Sequence, residues 1–281
     1  MGTDHPVTQE PPPSPAPLGA PVVDAHTHLD ACGASDPAGV RAVLDRAAAV
    51  GVARVVTVAD DLAAARYAVA AAGWDERVFA AVALHPTRAG ALDDAARAEL
   101  ERLARAPRVV AVGETGLDHY WPGRLDGCAT PEQQVAGFRW HIDLAKRTGL
   151  PLVVHDREAH DDVLAVLEQE GAPETVVLHC FSGDTGVARR CLDAGYVLSF
   201  AGTVSFRNAR ALHEVAPLVP DGQLLVETDA PFLTPHPQRG RPNEPRMLPL
   251  TVRALAALRG ATEAEVADAA RRTAERVYRL P

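Results

Sequence analysis

From Val22 onward the chain keeps one rhythm, and that rhythm limits the folds open to it. Short β-branched runs alternate with longer Ala/Leu/Arg stretches of helical period. The runs are PVVDAH near residue 22, ARVVTVAD near 53, RVFAAVALHP near 77 and RVVAVGE near 108, then LPLVVHD near 150, ETVVLHC near 174, YVLSFAG near 196 and GQLLVETD near 222. Eight buried-type strands, each followed by a helix, predict an α/β fold of the closed TIM (β/α)8-barrel type. An open doubly wound sheet is the alternative. No GxGxxG or P-loop lysine motif follows any of the runs, which weighs against a nucleotide site of the open-sheet kind.

Several helix ends are written into the sequence. Thr130 is a candidate N-cap, with Pro131 at the first helical position, Gln133 closing a capping box, and Gly149 and Pro151 beyond the end. Val135, Phe138, Ile142 and Ala145 then share one face. The stretch from Met247 to about Leu280 reads as two helices broken near Gly260-Ala261-Thr262. Residues 1–20, MGTDHPVTQEPPPSPAPLGA, are too proline-rich for a packed element and read as a disordered or polyproline-like tail. Residues 21–281 are expected to form a single barrel domain, and a chain of 281 residues is long enough for one.

The net charge of −9 argues against a broad basic face for a duplex. Lys146 is the single lysine, so nearly all positive charge is Arg, which suits bidentate contacts to phosphate or carboxylate. The four cysteines form no CxxC pair, as free thiols in a reducing compartment would not. No run approaches the roughly 18 apolar residues of a membrane span, and no signal-peptide pattern opens the chain. The expectation is a soluble, cytoplasmic protein with no membrane association and no evident obligate protein partner.

The chemistry sits where the runs end. His26 and His28 close the first, His85 the third, Glu114 the fourth, and His155 with Asp156 and Arg157 the fifth; His179 closes the sixth, Glu227 and Asp229 the eighth. In a barrel these ends converge on one face, where catalytic groups gather. Burying several imidazoles and carboxylates together without compensation is costly, and a divalent cation supplies the compensation. Each residue taken alone has a plainer reading as a turn residue, a helix cap or a core histidine; their conjunction points to a metal site. Ser182 has no base beside it in sequence, and Asp118 reads as a brace for the loop after Glu114.

DAHTHLD at 24–30, ALHP at 83–86, GETGLD at 113–118, LPLVVHDR at 150–157, LHCFSG at 178–183, ETDAPFL at 227–233 and RPNEP at 241–245 stand in an order and spacing that resemble the TatD family of metal-dependent hydrolases, within the amidohydrolase-like barrels. The resemblance runs from Val23 to Tyr278; Asp156 and His119-Tyr120-Trp121 depart from the family pattern. It implies that His26, His28, Glu114 and Asp229 hold one divalent cation and that Glu114, His155 and His179 hold a second, with Glu114 bridging. A water shared by two cations loses its proton easily. Asp229 is then both ligand and proton acceptor, with Glu114 as the other catalytic carboxylate. His85, Arg157 and Arg241 are candidates for binding substrate. Related barrels that bridge their metals through a carbamylated lysine need that lysine on a strand, and Lys146 falls late in a helix.

The resemblance implies a deoxyribonuclease, a 3′-to-5′ exonuclease on a DNA strand end or another phosphoester, using two divalent cations drawn from Zn²⁺, Mg²⁺ and Mn²⁺. Two alternatives stay open: a metal-dependent hydrolase of another ester or amide, such as an aminoacyl ester, and a non-catalytic barrel that binds metal for structure.

Overall fold

The computed structural model describes residues 10–281. Its eight strands are β1 (Val22–Thr27), β2 (Val52–Val58), β3 (Val78–Val82), β4 (Val109–Asp118), β5 (Leu152–Arg157), β6 (Val176–Leu178), β7 (Val197–Phe200) and β8 (Leu224–Val226). They lie side by side in chain order, every ladder parallel. The helices are α1 (Pro37–Ala48), α2 (Leu62–Trp74), α3 (Asp94–Leu103), α4 (Pro131–Thr148), α5 (His160–Glu170), α6 (Thr185–Asp193), α7 (Arg210–Val215), α8 (Leu248–Arg259) and α9 (Glu263–Tyr278). The fold is a (β/α)8 barrel with α9 added at the end.

Local sequence sets these boundaries. Asp36, Asp61, Asp93, Thr130, Asp184 and Thr262 each cap a helix through the side chain. Thr130 and Gln133 form the expected capping box, and Gly149 ends α4 in the left-handed conformation at φ 66°. The break between α8 and α9 falls at Gly260, also left-handed.

Apolar side chains fill two layers. Val22, Val55, Leu152 and Val176 pack outward against the helices, whereas Val23, Ala25, Val56, Ala81, Val153 and Leu225 fill the interior. Ala274, Val277 and Tyr278 of α9, with Leu280 beyond it, complete the interior cluster. Residues 1–9 of the expected tail lie outside the described residues. Nearer the barrel, Leu18 is buried and donates its N–H to Val50 O at 3.1 Å, while Arg253 Nη2 donates to Ala16 O and Arg246 Nη1 to Ser14 Oγ, both at 2.8 Å. Among the described residues no helix is long and apolar enough to cross a membrane.

Closure between β1 and β8 uses few backbone bonds. His28 N–H donates to Ala230 O at 2.8 Å and Asp229 N–H to His26 O at 2.9 Å, next to an isolated bridge between Thr27 and Ala230. The Asp24 carboxylate staples the seam: it accepts from Thr228 N–H at 2.9 Å and from Thr228 Oγ at 2.6 Å. Removing it strands two buried donors. Asp24→Ala should therefore lower unfolding stability by about 2–4 kcal/mol, measured by chemical denaturation; an unchanged midpoint would rule out the staple.

Candidate metal centre

Two strand irregularities place the central residues. Asp24 pairs with Val55 and Thr27 with Thr57, so β1 carries one extra residue between those pairs. Val112 pairs with Leu152 and Thr115 with Val154, so β4 does the same around Gly113 and Glu114. Such bulges re-aim a side chain. The β4 bulge needs its glycines: a Cβ on Gly113 would come within 2.5 Å of Val153 Cβ, and one on Gly116 within 2.1 Å of His155 O.

Glu114 lies at the centre. Its Oε1 is 3.5 Å from His26 Nε2 and 3.6 Å from His28 Nε2; Asp229 Oδ1 is 3.8 and 3.6 Å from the same two nitrogens. Its Oε2 is 2.6 Å from His179 Nε2 and 3.2 Å from His155 Nδ1. His26 and His179 stack at 4.0 Å between ring centroids, joining the two halves. All six residues that end strands in the sequence as candidate ligands thus meet in one buried volume. His85 joins them through Nε2, 3.3 Å from His155 Nδ1.

The donor set fits a divalent cation. Donors about 2.1 Å from a tetrahedral cation stand about 3.4 Å apart, close to the spacings around Glu114 Oε1 and Asp229 Oδ1 and too long for hydrogen bonds. His26 is fully buried, and neither ring nitrogen has a hydrogen-bond partner. An imidazole buried with both nitrogens unpaired needs compensation of some kind. His28 Nδ1 lies 3.0 Å from Val58 O, which leaves Nε2 to face the carboxylates.

The electrostatics describe a cluster sharing protons. Burial by itself lowers the His28 imidazole, yet the facing Asp229 carboxylate and the charges of Asp60 and Glu114 carry it up to about 10. His179 is likewise raised against burial, by Glu114 and Glu227. Burial would raise Glu114 and Asp229, but the surrounding imidazoles hold both below the ordinary carboxylate range. Burial and the neighbouring His155 push His85 down to about 3.

The arginines stand apart from this cluster. The Arg157 guanidinium lies over the Tyr120 ring at 3.9 Å and the Trp121 ring at 5.4 Å. Arg241 lies in the loop after β8, its carbonyl accepting from Thr234 Oγ at 2.7 Å; among the described residues its side chain makes no hydrogen bond or ion pair to the cluster. Arg246, a further loop arginine, pairs with Glu244. Asp156 turns to His160, 2.6 Å away. Sequence reasoning gave no role at the cluster to Asp60, Glu227 or Asn243. Asp60 Oδ1 is 3.6 Å from His28 Nδ1, and Glu227 Oε1 is 3.2 Å from His179 Nδ1. Asn243 Nδ2 donates to Thr228 O at 3.0 Å and Phe232 O at 2.5 Å, gripping the loop that carries Asp229. Glu227 is read from the sequence as a strand end without a role, and Asp60 also stands at a strand end, so the rule that found the other residues applies to it as well.

Residues 23–279 match the family described as TatD related DNase. A metal-dependent hydrolase of Mycobacterium tuberculosis named TatD, itself uncharacterized, is 66% identical over 92% of this chain and 98% of its own length. The 3′-5′ ssDNA/RNA exonuclease TatD of Erwinia billingiae is 39% identical over 70% of this chain and 76% of its own. Among solved structures, the TatD homolog YJJV of Escherichia coli K12 superposes with a TM-score of 0.83 at 30% identity, covering 92% of this chain and 98% of that one.

If His28 and His179 are ligands, a cation there would compete with protons that their neighbouring carboxylates favour, and uptake of Zn²⁺ or Mn²⁺ at pH 7 should release on the order of one to two protons. Affinity should rise with pH and fall on acidification. Titration calorimetry in buffers of different ionisation enthalpy measures both; binding enthalpies independent of the buffer would contradict the assignment.

Proposed function

From the premise that the chain belongs to the TatD-related family of metal-dependent hydrolases, we propose that it is a deoxyribonuclease, removing nucleotides from the 3′ end of single-stranded DNA. The observation that carries this reading is Glu114, with one oxygen turned to each half of the cluster. A single carboxylate so placed could be shared by two cations, as two-metal phosphodiester hydrolysis would need. In this reading His26, His28, Glu114 and Asp229 would hold one cation and Glu114, His155 and His179 the other. Zn²⁺, Mg²⁺ and Mn²⁺ are all compatible with mixed imidazole and carboxylate donors. When bound, such cations acidify water and neutralise charge on phosphoryl oxygens.

The chain's own residues do the rest. Asp229 stays ionised because His28, His26 and His179 outweigh its burial, so it can take the proton of the attacking water. His85 Nδ1 accepts from Thr87 N–H at 3.1 Å. Its Nε2 therefore carries the hydrogen, and that donor faces the cluster, where it can bind a phosphoryl oxygen. Burial keeps the ring neutral near pH 7. Arg157, over the rings of Tyr120 and Trp121, would take a phosphate further along the strand, with Arg241 in the loop after β8 as a second contact. With a net charge of −9 and few such arginines, a strand end entering a pocket suits this chain better than a duplex lying on its surface.

The test is release of nucleotides from 5′-labelled single-stranded DNA with Mg²⁺ or Mn²⁺ and an EDTA control. Asp229→Asn should lower kcat by about 100- to 10,000-fold, and Glu114→Ala should abolish turnover while leaving the circular dichroism spectrum unchanged. No cleavage of DNA, together with turnover of aminoacyl or other carboxylic esters, would move the assignment to the ester alternative.

A further inference from the structure

Asp118, at the end of β4, is fully buried, and both of its oxygens are committed. Oδ1 accepts from the N–H groups of Tyr120 and Trp121, each at 2.9 Å. Oδ2 lies 3.0 Å from His155 Nε2. Its backbone is fixed as well: Asp118 N–H donates to Gln134 Oε1 at 2.8 Å, and the same Gln134 donates through Nε2 to Ala129 O at 3.3 Å. The loop leaving β4 is thereby tied to α4 on one side and to a candidate metal ligand on the other.

We propose that Asp118 is a positioning residue, fixing the His155 imidazole with its proton on Nε2 so that Nδ1 is the nitrogen offered to a cation, and coupling that choice to the aromatic loop against which Arg157 rests. The proposal rests on the reading of Glu114, His155 and His179 as ligands. An ionised carboxylate only accepts hydrogen bonds, so the nitrogen beside Oδ2 must be the one bearing hydrogen. The other nitrogen, Nδ1, is the one that faces Glu114 Oε2 at 3.2 Å and His179 Nε2 at 3.5 Å. His179 is held the opposite way. Its Nδ1 is 3.2 Å from Glu227 Oε1, an oxygen that also accepts from Cys180 N–H at 2.6 Å, while its Nε2 faces Glu114. The two histidines therefore present different nitrogens to the same volume, and each choice is set by a different buried carboxylate. A carboxylate behind a metal-bound histidine commonly governs its orientation and basicity.

The coupling follows from the second oxygen. The backbone N–H groups on Oδ1 belong to the residues whose rings lie under the Arg157 guanidinium. Asp118 and Arg157 are also register partners across β4 and β5, two places beyond the pair Gly116 and His155. A change in the loop would reach His155 through one carboxylate.

Asp118→Asn separates the two duties. The loop N–H groups need an acceptor, so the amide oxygen stays on Oδ1's side and the amide NH₂ turns to His155, where it demands an acceptor at Nε2. The proton then moves to Nδ1. With Zn²⁺ as the probe, calorimetry and metal analysis after dialysis should find one site of D118N unchanged and the other weakened about 10- to 100-fold, with the loop tryptophan emission as in the wild type. Nitrogen-15 NMR of the imidazoles in the Zn²⁺-loaded wild-type protein gives the tautomer without any variant: His155 should bear hydrogen on Nε2, His179 on Nδ1. Wild-type protein that binds fewer than two Zn²⁺, or whose stoichiometry is unaffected by His155→Ala, sinks the metal reading itself. Wild-type protein that binds two, with D118N binding both equally well or with hydrogen on His155 Nδ1, overturns the role of Asp118 alone.

Discussion

The structure depends on the concentration of ionisable groups at the mouth of its barrel. His26, His28, Glu114, His179 and Asp229 are each at most 9% exposed, and they stand within a few ångströms of one another. Such groups cannot all be buried as independent charges; they must share protons, pair with one another, or bind a cation. In the metal-free chain they do the first two, which is why the imidazoles of His28 and His179 rise and the carboxylates of Glu114 and Asp229 fall despite burial. His26 shows where that compromise fails, since neither of its nitrogens finds a partner.

The barrel makes this concentration possible by breaking its own regularity at two points. Val23 and Ala25 fill the interior, and strict alternation continued from them would turn His26 out toward the helices. One extra residue in β1 returns it to the inside. The same device in β4 delivers Glu114, and there the tight approach of β5 admits only glycine at 113 and 116. Two other register shifts, between Val22 and Val23 and between Ala80 and Ala81, lie away from the cluster; the two that deliver His26 and Glu114 fall where polar groups converge.

Much of this was legible in the sequence, for identifiable reasons. The eight strands and the bounds of α4 and α9 follow from apolar runs and capping residues, which are local signals. That six residues spread from His26 to Asp229 reach one face follows from barrel topology, because parallel strands bring their ends there. The bulges were not legible: an HxH pair reads the same in a regular strand and in a bulged one. The partners behind the histidines were hidden for a different reason. Asp118 is 37 residues from His155, and Glu227 is 48 from His179; which nitrogen each touches depends on ring orientation, and no spacing in the chain encodes that. The placement of Arg157 on Tyr120 and Trp121 was hidden in the same way, since it needs the path of a loop that departs from the family pattern.

The seam of the barrel and the first proposed cation position coincide, and this would link closure to chemistry. β1 and β8 meet through one isolated bridge, two flanking backbone bonds and the Asp24 staple, whereas the other neighbouring strands share ladders. The residues proposed to share that cation include His26 and His28 from one side of the seam and Asp229 from the other. A cation held there would cross-link the edges that backbone pairing joins least. Anything that binds the closed form and not the open one stabilises it in proportion to the logarithm of its concentration over its dissociation constant. Strain or loosening at the seam would accordingly weaken the cation site, and loss of the cation would loosen the seam. Asn243, which holds Thr228 and Phe232 on either side of Asp229, limits how far the β8 edge can move. The loop motif after β8 thus keeps the last candidate ligand within reach of the first two.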